Sequence, residues 1–241
     1  MEQHEQVILW DFEGTLVDRP GRWRSAIMEV LDVNEPGHQV EMEQIRPYLW
    51  DGFPWHRPNE PHTHLTNSQE WWSQVGRIFT HAYQGVGFSL NRARELASLV
   101  QKAFTNPERF VLYEDTIPAL LLLKEKGWNH VILSNHVPEL SSIVDGVGLS
   151  PYIDHCITSG STGYEKPNPR AFQYALKLVG HPERVWMVGD NPIADIQGAE
   201  SMGIPAILVR NQQKDDVRRY AKDLLEAASI IEHFNSNSEN R

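Results

Sequence analysis

Asp11 and Glu13 stand where the stretch Val7-Ile8-Leu9-Trp10-Asp11-Phe12-Glu13-Gly14-Thr15-Leu16-Val17 turns from apolar to polar. A strand buried on both faces reads as such a short apolar run. In open α/β sheets, reactive groups gather just beyond the carboxyl ends of strands. Two later runs end in the same way. His130-Val131-Ile132-Leu133 leads into Ser134-Asn135, and Val185-Trp186-Met187-Val188 leads into Gly189-Asp190, with Asp195 at the start of the following helix. Between them, Lys166-Pro167 sits in a glycine-containing loop ahead of another helix. In a parallel sheet these strand ends share one edge, so their side chains converge. Carboxylates, a lysine and a hydroxyl beside exposed backbone amides suit phosphoryl transfer. Carboxylates hold Mg²⁺, which takes only one or two of them from a protein. Lysine and serine hold phosphoryl oxygens, and positioning with charge neutralisation supplies most of the catalysis.

The elements that must position these groups alternate. Strands are expected at 7–10, 130–133, 155–158, 185–188 and 206–209, with helices at 114–126, 138–144, 170–179, 193–202 and 215–231 between and after them. That alternation predicts a doubly wound parallel α/β sheet. Residues 17–111 have a different character, mostly helical and without a strand pattern. Ala26, Ile27, Val30 and Leu31 recur at helical spacing, and Glu35-Pro36-Gly37 stops that helix. Further helices are expected at 41–48, from a cap at Asn67 to about 84, and from 89 or 91 to 104. Residues 50–67 hold Pro54, Pro58 and Pro61 without periodicity and read as a long ordered loop. In it, Trp50, Trp55, His56, Arg57, His62 and His64 form either a substrate wall with aromatic stacking and an anion contact or packing that fixes the loop. Arg22, Trp23 and Arg24 follow the first carboxylates closely enough to line the entrance. His62-x-His64 lacks a third ligand and is not a zinc site. Trp71 and Trp72 read as core, and residues 235–241 as a disordered polar tail.

The chain has 241 residues, 40% hydrophobic and 22% charged, as ordinary globular proteins do. Its formal net charge of −10 argues against nucleic-acid partners and an anionic membrane surface, both of which need a basic face. The single cysteine, Cys156, permits no intramolecular disulfide, suits a reducing compartment, and lies in an apolar segment as core rather than nucleophile. The first residues are polar, with no signal-peptide pattern, and no stretch is long and apolar enough to span a membrane. A cytoplasmic protein is expected.

On these motifs the sequence resembles the haloacid dehalogenase (HAD) superfamily. The signature Asp-x-Asp-Gly-Thr appears here as Asp11-Phe12-Glu13-Gly14-Thr15. The Ser or Thr ending a strand is Ser134, the lysine before a helix is Lys166, and the Gly-Asp with a second acid is Gly189-Asp190 with Asp195. The resemblance covers residues 7–17 and about 112–210. It implies a Rossmann-like core at 1–16 and 112–241, with an inserted all-helical cap at 17–111. It implies a Mg²⁺-dependent phosphomonoester hydrolase acting on a small phosphorylated metabolite, a monomer or homodimer with no nucleic-acid or membrane partner. Asp11 would attack phosphorus to give an aspartyl-phosphate. The acid two residues later would serve as general acid and then base. Asp11, the backbone carbonyl of Glu13, Asp190 and Asp195 would make the metal site, Asp195 serving there through a metal-bound water or by supporting Lys166. Ser134, Asn135 and Lys166 would bind the phosphoryl group, with Arg22, Trp55, His56 and Arg57 toward the rest of the substrate. The departure is Glu13, one methylene longer than the family's usual Asp. A catalytic group misplaced by about 1 Å loses roughly 10²-fold. A low-turnover protein that binds phosphate for regulation is the alternative from a different class. A dehalogenase is a weaker one, suggested by Asn135 and opposed by Asp190, and a phosphomutase would share the same intermediate.

Overall fold

The structure, a computed structural model, describes residues 5–212 and 217–238. Six parallel strands form one sheet: β1 (Gln6–Trp10), β4 (Asn129–Ser134), β5 (His155–Thr158), β6 (Arg184–Gly189), β7 (Ala206–Val209) and β8 (Tyr220–Ala221), in the order β5-β4-β1-β6-β7-β8. A separate antiparallel pair joins β2 (Val17–Asp18) to β3 (Val111–Leu112). The helices are α1 (Arg22–Asn34), α2 (Met42–Ile45), α3 (Ser68–Gly85), α4 (Leu90–Phe104), α5 (Thr116–Glu125), α6 (Leu140–Gly146), α7 (Ser159–Thr162), α8 (Pro169–Leu178), α9 (Gly198–Ser201) and α10 (Leu224–Ser238). The expected doubly wound, Rossmann-like parallel sheet is the fold observed.

β1 is central because every side chain from Val7 to Trp10 is fully buried. Alternation sorts them onto two faces. Ile8 and Trp10 join one hydrophobic cluster with α5, α6 and α10, while Val7 and Leu9 join another with α8 and α9. Each such aliphatic side chain contributes about 1.5–3 kcal/mol by leaving water, so the strand bearing Asp11 is the least free to shift register. The winding reverses at β1, with β4 on one side and β6 on the other. A crevice opens at such a switch point beyond the strand ends.

Between β2 and β3 the chain is helical, apart from turns. The helix caps at Asn67 and Ser89 are real, accepting from the amides of Glu70 and Arg92. The helix expected at 41–48 is split. α2 ends at Ile45 and a 3₁₀ segment, Arg46–Leu49, follows, because Pro47 removes an intrahelical donor. The loop at 50–67 carries two short 3₁₀ turns, Pro54–His56 and Thr63–Leu65. The large cluster on the Trp10 face runs without a break into these helices through Phe12, Phe104, Leu96 and Phe79.

Three expectations needed correction. β2 and β3 are strands of two residues each, too short to imprint a pattern on the sequence. The helix expected at 193–202 is instead a π-helical turn, Pro192–Gln197, continued by α9. The last helix starts at Leu224 rather than 215, since 220–221 pair with β7, and it continues to Ser238 where a polar tail was expected. Residues 213–216, with the expected start at 215, and the end of the tail, 239–241, lie outside the described residues. Among the described residues, no helix is long and apolar enough to cross a membrane.

Candidate active site

Asp11 leaves β1 at the sheet edge, its amide bonded to the Val188 carbonyl of β6 at 2.9 Å. Two donors meet on its Oδ1: Ser134 Oγ, from the end of β4, at 2.8 Å, and Lys166 Nζ at 2.9 Å. Lys166 also donates to Asp195 Oδ1 at 2.6 Å, and Asn191 N donates to Asp195 Oδ2 at 2.9 Å. All four groups are buried. Burial alone would lower the Lys166 ammonium, but the charges and hydrogen bonds of Asp11 and Asp195 raise it on balance, so it stays charged. The lysine's backbone is fixed as well. Asn135 accepts from Lys166 N at 2.7 Å and donates to Lys166 O at 2.8 Å. The side chain of Asn135, expected to touch substrate, holds this loop, and the residue also lines the cavity at the site.

Asp190 follows Gly189 at the end of β6. Oxygens of Asp11, Asp190 and Asp195 lie within 4.8 Å of one another. Burial, then the charges on Asp11 and Asp195, push the Asp190 carboxyl up to about 7. Asp195 rises to about 6 through burial, against the opposing pull of Lys166. Carboxylates crowded until they hold protons are a hard-oxygen donor set that a divalent cation would relieve. Two glycines make the crowding possible. A Cβ on Gly189 would lie 2.2 Å from Asp195 Oδ2, and one on Gly14, whose φ is +93°, would lie 2.4 Å from Asp190 Oδ2. Asp195 sits in the π turn, whose cap Asn191 accepts from the amides of Ile193 and Ala194. Such widened turns recur at functional sites.

Glu13 points toward α1. Its Oε1 is 3.0 Å from Arg22 Nε, and Arg22 also reaches within 3.9 Å of Asp190. Arg22 has φ +49°, a left-handed conformation that costs a non-glycine residue on the order of 1–3 kcal/mol. Arg19 holds it there. This buried guanidinium donates to the Arg22 carbonyl, to Ser25 Oγ at 2.7 Å, and to the carbonyls of Ala103 and Phe104 at the end of α4.

A cavity of about 410 Å³ joins these groups. Its remaining lining includes Trp23 and Trp55 from the helical segment, together with Phe104 and His136. Of the residues expected toward the substrate, Arg22 and Trp55 reach the cavity. His56 and Arg57 turn away to Asp51, at 3.9 Å and 3.7 Å, and do not line it. Direction cannot be read from a loop without periodicity, which is why those two were misplaced. His62 Nδ1 meets the Glu165 carboxylate oxygen Oε2 at 2.7 Å, a bridge between the 50–67 loop and the loop carrying Lys166. Cys156 packs against the core, and burial pushes its thiol up to about 12, so it is no nucleophile.

Three participants were missed in the sequence. His136 is 4% exposed, its Nε2 lies 3.7 Å from Glu13 Oε2, and neither ring nitrogen has a hydrogen-bond partner among the described residues. Its place two residues after Ser134 on the same strand-end loop was the available signal. Arg210 and Asn211 follow β7 and brace the site from behind, donating to the carbonyls of Thr15 at 3.1 Å and Asp190 at 2.6 Å. Any residue just past a parallel strand is a candidate by position, and β7 ends there.

Comparison with known proteins agrees with this geometry. The sequence profile of the family described as haloacid dehalogenase-like hydrolase matches residues 5–203. A phosphoserine phosphatase of Thermus thermophilus is 36% identical over 135 residues, covering 55% of this chain and 53% of that protein. The human haloacid dehalogenase-like hydrolase domain-containing protein 3 is 29% identical over 220 residues, covering 88% of this chain and 84% of that one. Among solved structures, the magnesium-bound HAD-hydrolase YfnB of Bacillus subtilis superposes with a TM-score of 0.73 at 17% identity, over 95% of this chain and 100% of the other.

Proposed function

Because the chain belongs to the haloacid dehalogenase-like hydrolases, we propose that it is a phosphomonoester hydrolase for a small phosphorylated metabolite, working through an aspartyl-phosphate on Asp11. The observation that carries this reading is the meeting of Ser134 Oγ and Lys166 Nζ on one oxygen of Asp11. Two donors already aimed at the nucleophile's oxygen are placed to receive phosphoryl oxygens that arrive beside it.

In this mechanism the Asp11 carboxylate attacks phosphorus, and the bond to the alcohol oxygen breaks. Glu13 gives that oxygen its proton. Glu13 then takes a proton from water, which attacks phosphorus and returns Asp11 as a carboxylate with release of phosphate. Ser134 and Lys166 hold the phosphoryl oxygens throughout. Asp195 holds Nζ, and Asn135 holds the backbone behind it. Mg²⁺, held by Asp11, Asp190 and the carbonyl of Glu13, would neutralise charge on the phosphoryl group. Both Asp195 oxygens already accept from the protein, which favours its positioning role over direct metal binding. We assign residues 17–111 as a cap on a core formed by 1–16 and 112–241, because β2 and β3 bring the two ends of that segment side by side.

The test is hydrolysis of p-nitrophenyl phosphate and a panel of phosphometabolites, with Mg²⁺ and with EDTA, alongside Asp11→Asn. Metal-dependent turnover that this substitution abolishes is the expected result, and turnover unaffected by it overturns the reading. A second reading is a phosphate-binding protein of low turnover. It draws support from the tie between Glu13 and Arg22, which engages the acid meant to move protons. Phosphate binding that depends on Mg²⁺, with no ester turned over, would favour it.

A further inference from the structure

The cavity's lining divides into two chemistries. One part is the charged cluster around Asp11. The other is aromatic side chains, Trp23, Trp55 and Phe104 of the helical segment, and those rings are already ordered. Trp23 lies flat on Phe104, with centroids 3.6 Å apart and planes 6° apart, and Trp55 lies flat on Phe53, at 4.7 Å and 11°. A flat group entering the cavity meets indoles whose rotamers are fixed by what lies behind them, so little ordering entropy is lost on stacking.

The charges point the same way. The lining carries four carboxylates, Asp11, Glu13, Asp190 and Asp195, against two permanent cations, Lys166 and Arg22. Both cations are paired, Lys166 with Asp11 and Asp195, and Arg22 with Glu13. His56 and Arg57, which could have greeted a second anion, are turned toward Asp51. A substrate carrying a carboxylate besides its phosphate would therefore bring that charge into a cavity whose two permanent cations are already engaged, leaving only the His136 ring to meet it. An alkylammonium is enclosed best by ring faces set steeply to one another, whereas the planes of Trp23 and Trp55 differ by only 24°.

We infer that the preferred substrates are phosphate monoesters of uncharged alcohols bearing an aromatic or flat apolar group, which stacks on Trp55 and Trp23. This assignment rests on the phosphatase reading and adds to it a substrate class. The volume of about 410 Å³ suits a phosphoryl group with a ring beside it.

The experiment uses the full chain with Mg²⁺ and three primary alkyl esters, so that leaving-group chemistry is matched: benzyl phosphate, 2-phosphoglycolate and phosphocholine. Benzyl phosphate is expected to exceed each of the others in kcat/KM by about tenfold or more. Trp55→Ala should shrink that preference by about tenfold, and Trp55→Phe should restore most of it. A kcat/KM for phosphoglycolate or phosphocholine equal to or above that of benzyl phosphate overturns the inference and leaves the phosphatase reading intact. If no ester is turned over, the phosphatase reading falls instead. Calorimetric binding of benzylphosphonate against phosphonoacetate then decides the wall by itself, tighter binding of benzylphosphonate supporting it and equal or reversed affinities refuting it.

Discussion

Arg22 Nε stands 3.0 Å from Glu13 Oε1, joining the first turn of α1 to the residue two positions beyond Asp11. The extra methylene of Glu13 is what lets it reach a partner on the helical segment. Under the proposed mechanism this length is matched to its surroundings. Glu13→Asp should then break the contact and lower kcat by about tenfold or more, and Glu13→Gln by about 10²-fold or more. Steady-state kinetics with a readily cleaved ester measures both. A large gain in rate for Glu13→Asp would instead establish the low-turnover reading.

Lys166 is buried between two carboxylates. Lys166→Met leaves Asp11 and Asp195 facing each other without their cation, a change expected to destabilise the fold by about 3–5 kcal/mol. Urea denaturation gives the figure. Adding Asp195→Asn to Lys166→Met should recover part of the loss, because one of the stranded charges is then gone. Strictly additive losses would show that the two residues are not coupled.

The crowded carboxylates tie stability to pH. Asp190, pushed up to about 7, and Asp195, to about 6, both start from an ordinary 3.8. Between those values the folded protein holds protons that the unfolded chain has released. This contribution is therefore complete below about pH 4 and is lost as pH rises through 6 and 7. Mg²⁺ bound as proposed would supply positive charge in their place. The Tm difference between Mg²⁺ and EDTA should accordingly widen from about pH 5 to about pH 8. Thermal denaturation series in both conditions would show it, and a gap that stays level or narrows would contradict it.

Gly189 is required by proximity. A methyl group there would strike Asp195 Oδ2 at 2.2 Å, so Gly189→Ala must displace Asp195 and loosen its hold on Lys166. A fall in kcat of about 10²-fold is expected. Gly76, inside α3 with nothing within 4 Å of its would-be Cβ, is the control. Gly76→Ala should leave kcat unchanged and stabilise the protein by about 0.4–1 kcal/mol. Equal effects of the two substitutions on turnover would remove the positional explanation.

Asp11, Ser134 and Asp190 were legible because each lies where a buried strand ends and a polar residue follows, and Lys166 and Asp195 because each stands at or just ahead of the start of a helical segment. Asp11, Ser134, Lys166, Asp190 and Asp195 all meet within hydrogen-bond or metal-ligand distance. What resisted reading had no period to betray it. His56 and Arg57 lie in or beside a 3₁₀ turn, where neighbouring side chains diverge sharply, and only Trp55 faces the cavity. The two-residue pair β2–β3 is fixed by partners nearly a hundred residues apart in the chain rather than by local pattern. The π turn arises because Lys166 and the Asn191 amide draw the Asp195 carboxylate inward, a tertiary pull that overrides helical preference. His136 carries no motif beyond its place two residues after Ser134, and the aromatic rings and the carboxylate around it are what give that place significance.

His62 and Glu165 meet at 2.7 Å, and the next residue along is Lys166. The tether that fastens the 50–67 loop and the lysine beside Asp11 thus share one backbone joint. A neighbouring strut, from Asn168 Nδ2 to the Pro58 carbonyl at 2.9 Å, reinforces it. If residues 17–111 act as the proposed cap, lifting the 50–67 loop to admit or release a ligand would disturb the segment that aims the ammonium. An open molecule would therefore be a disarmed one, and water entering alone would find the charges out of alignment.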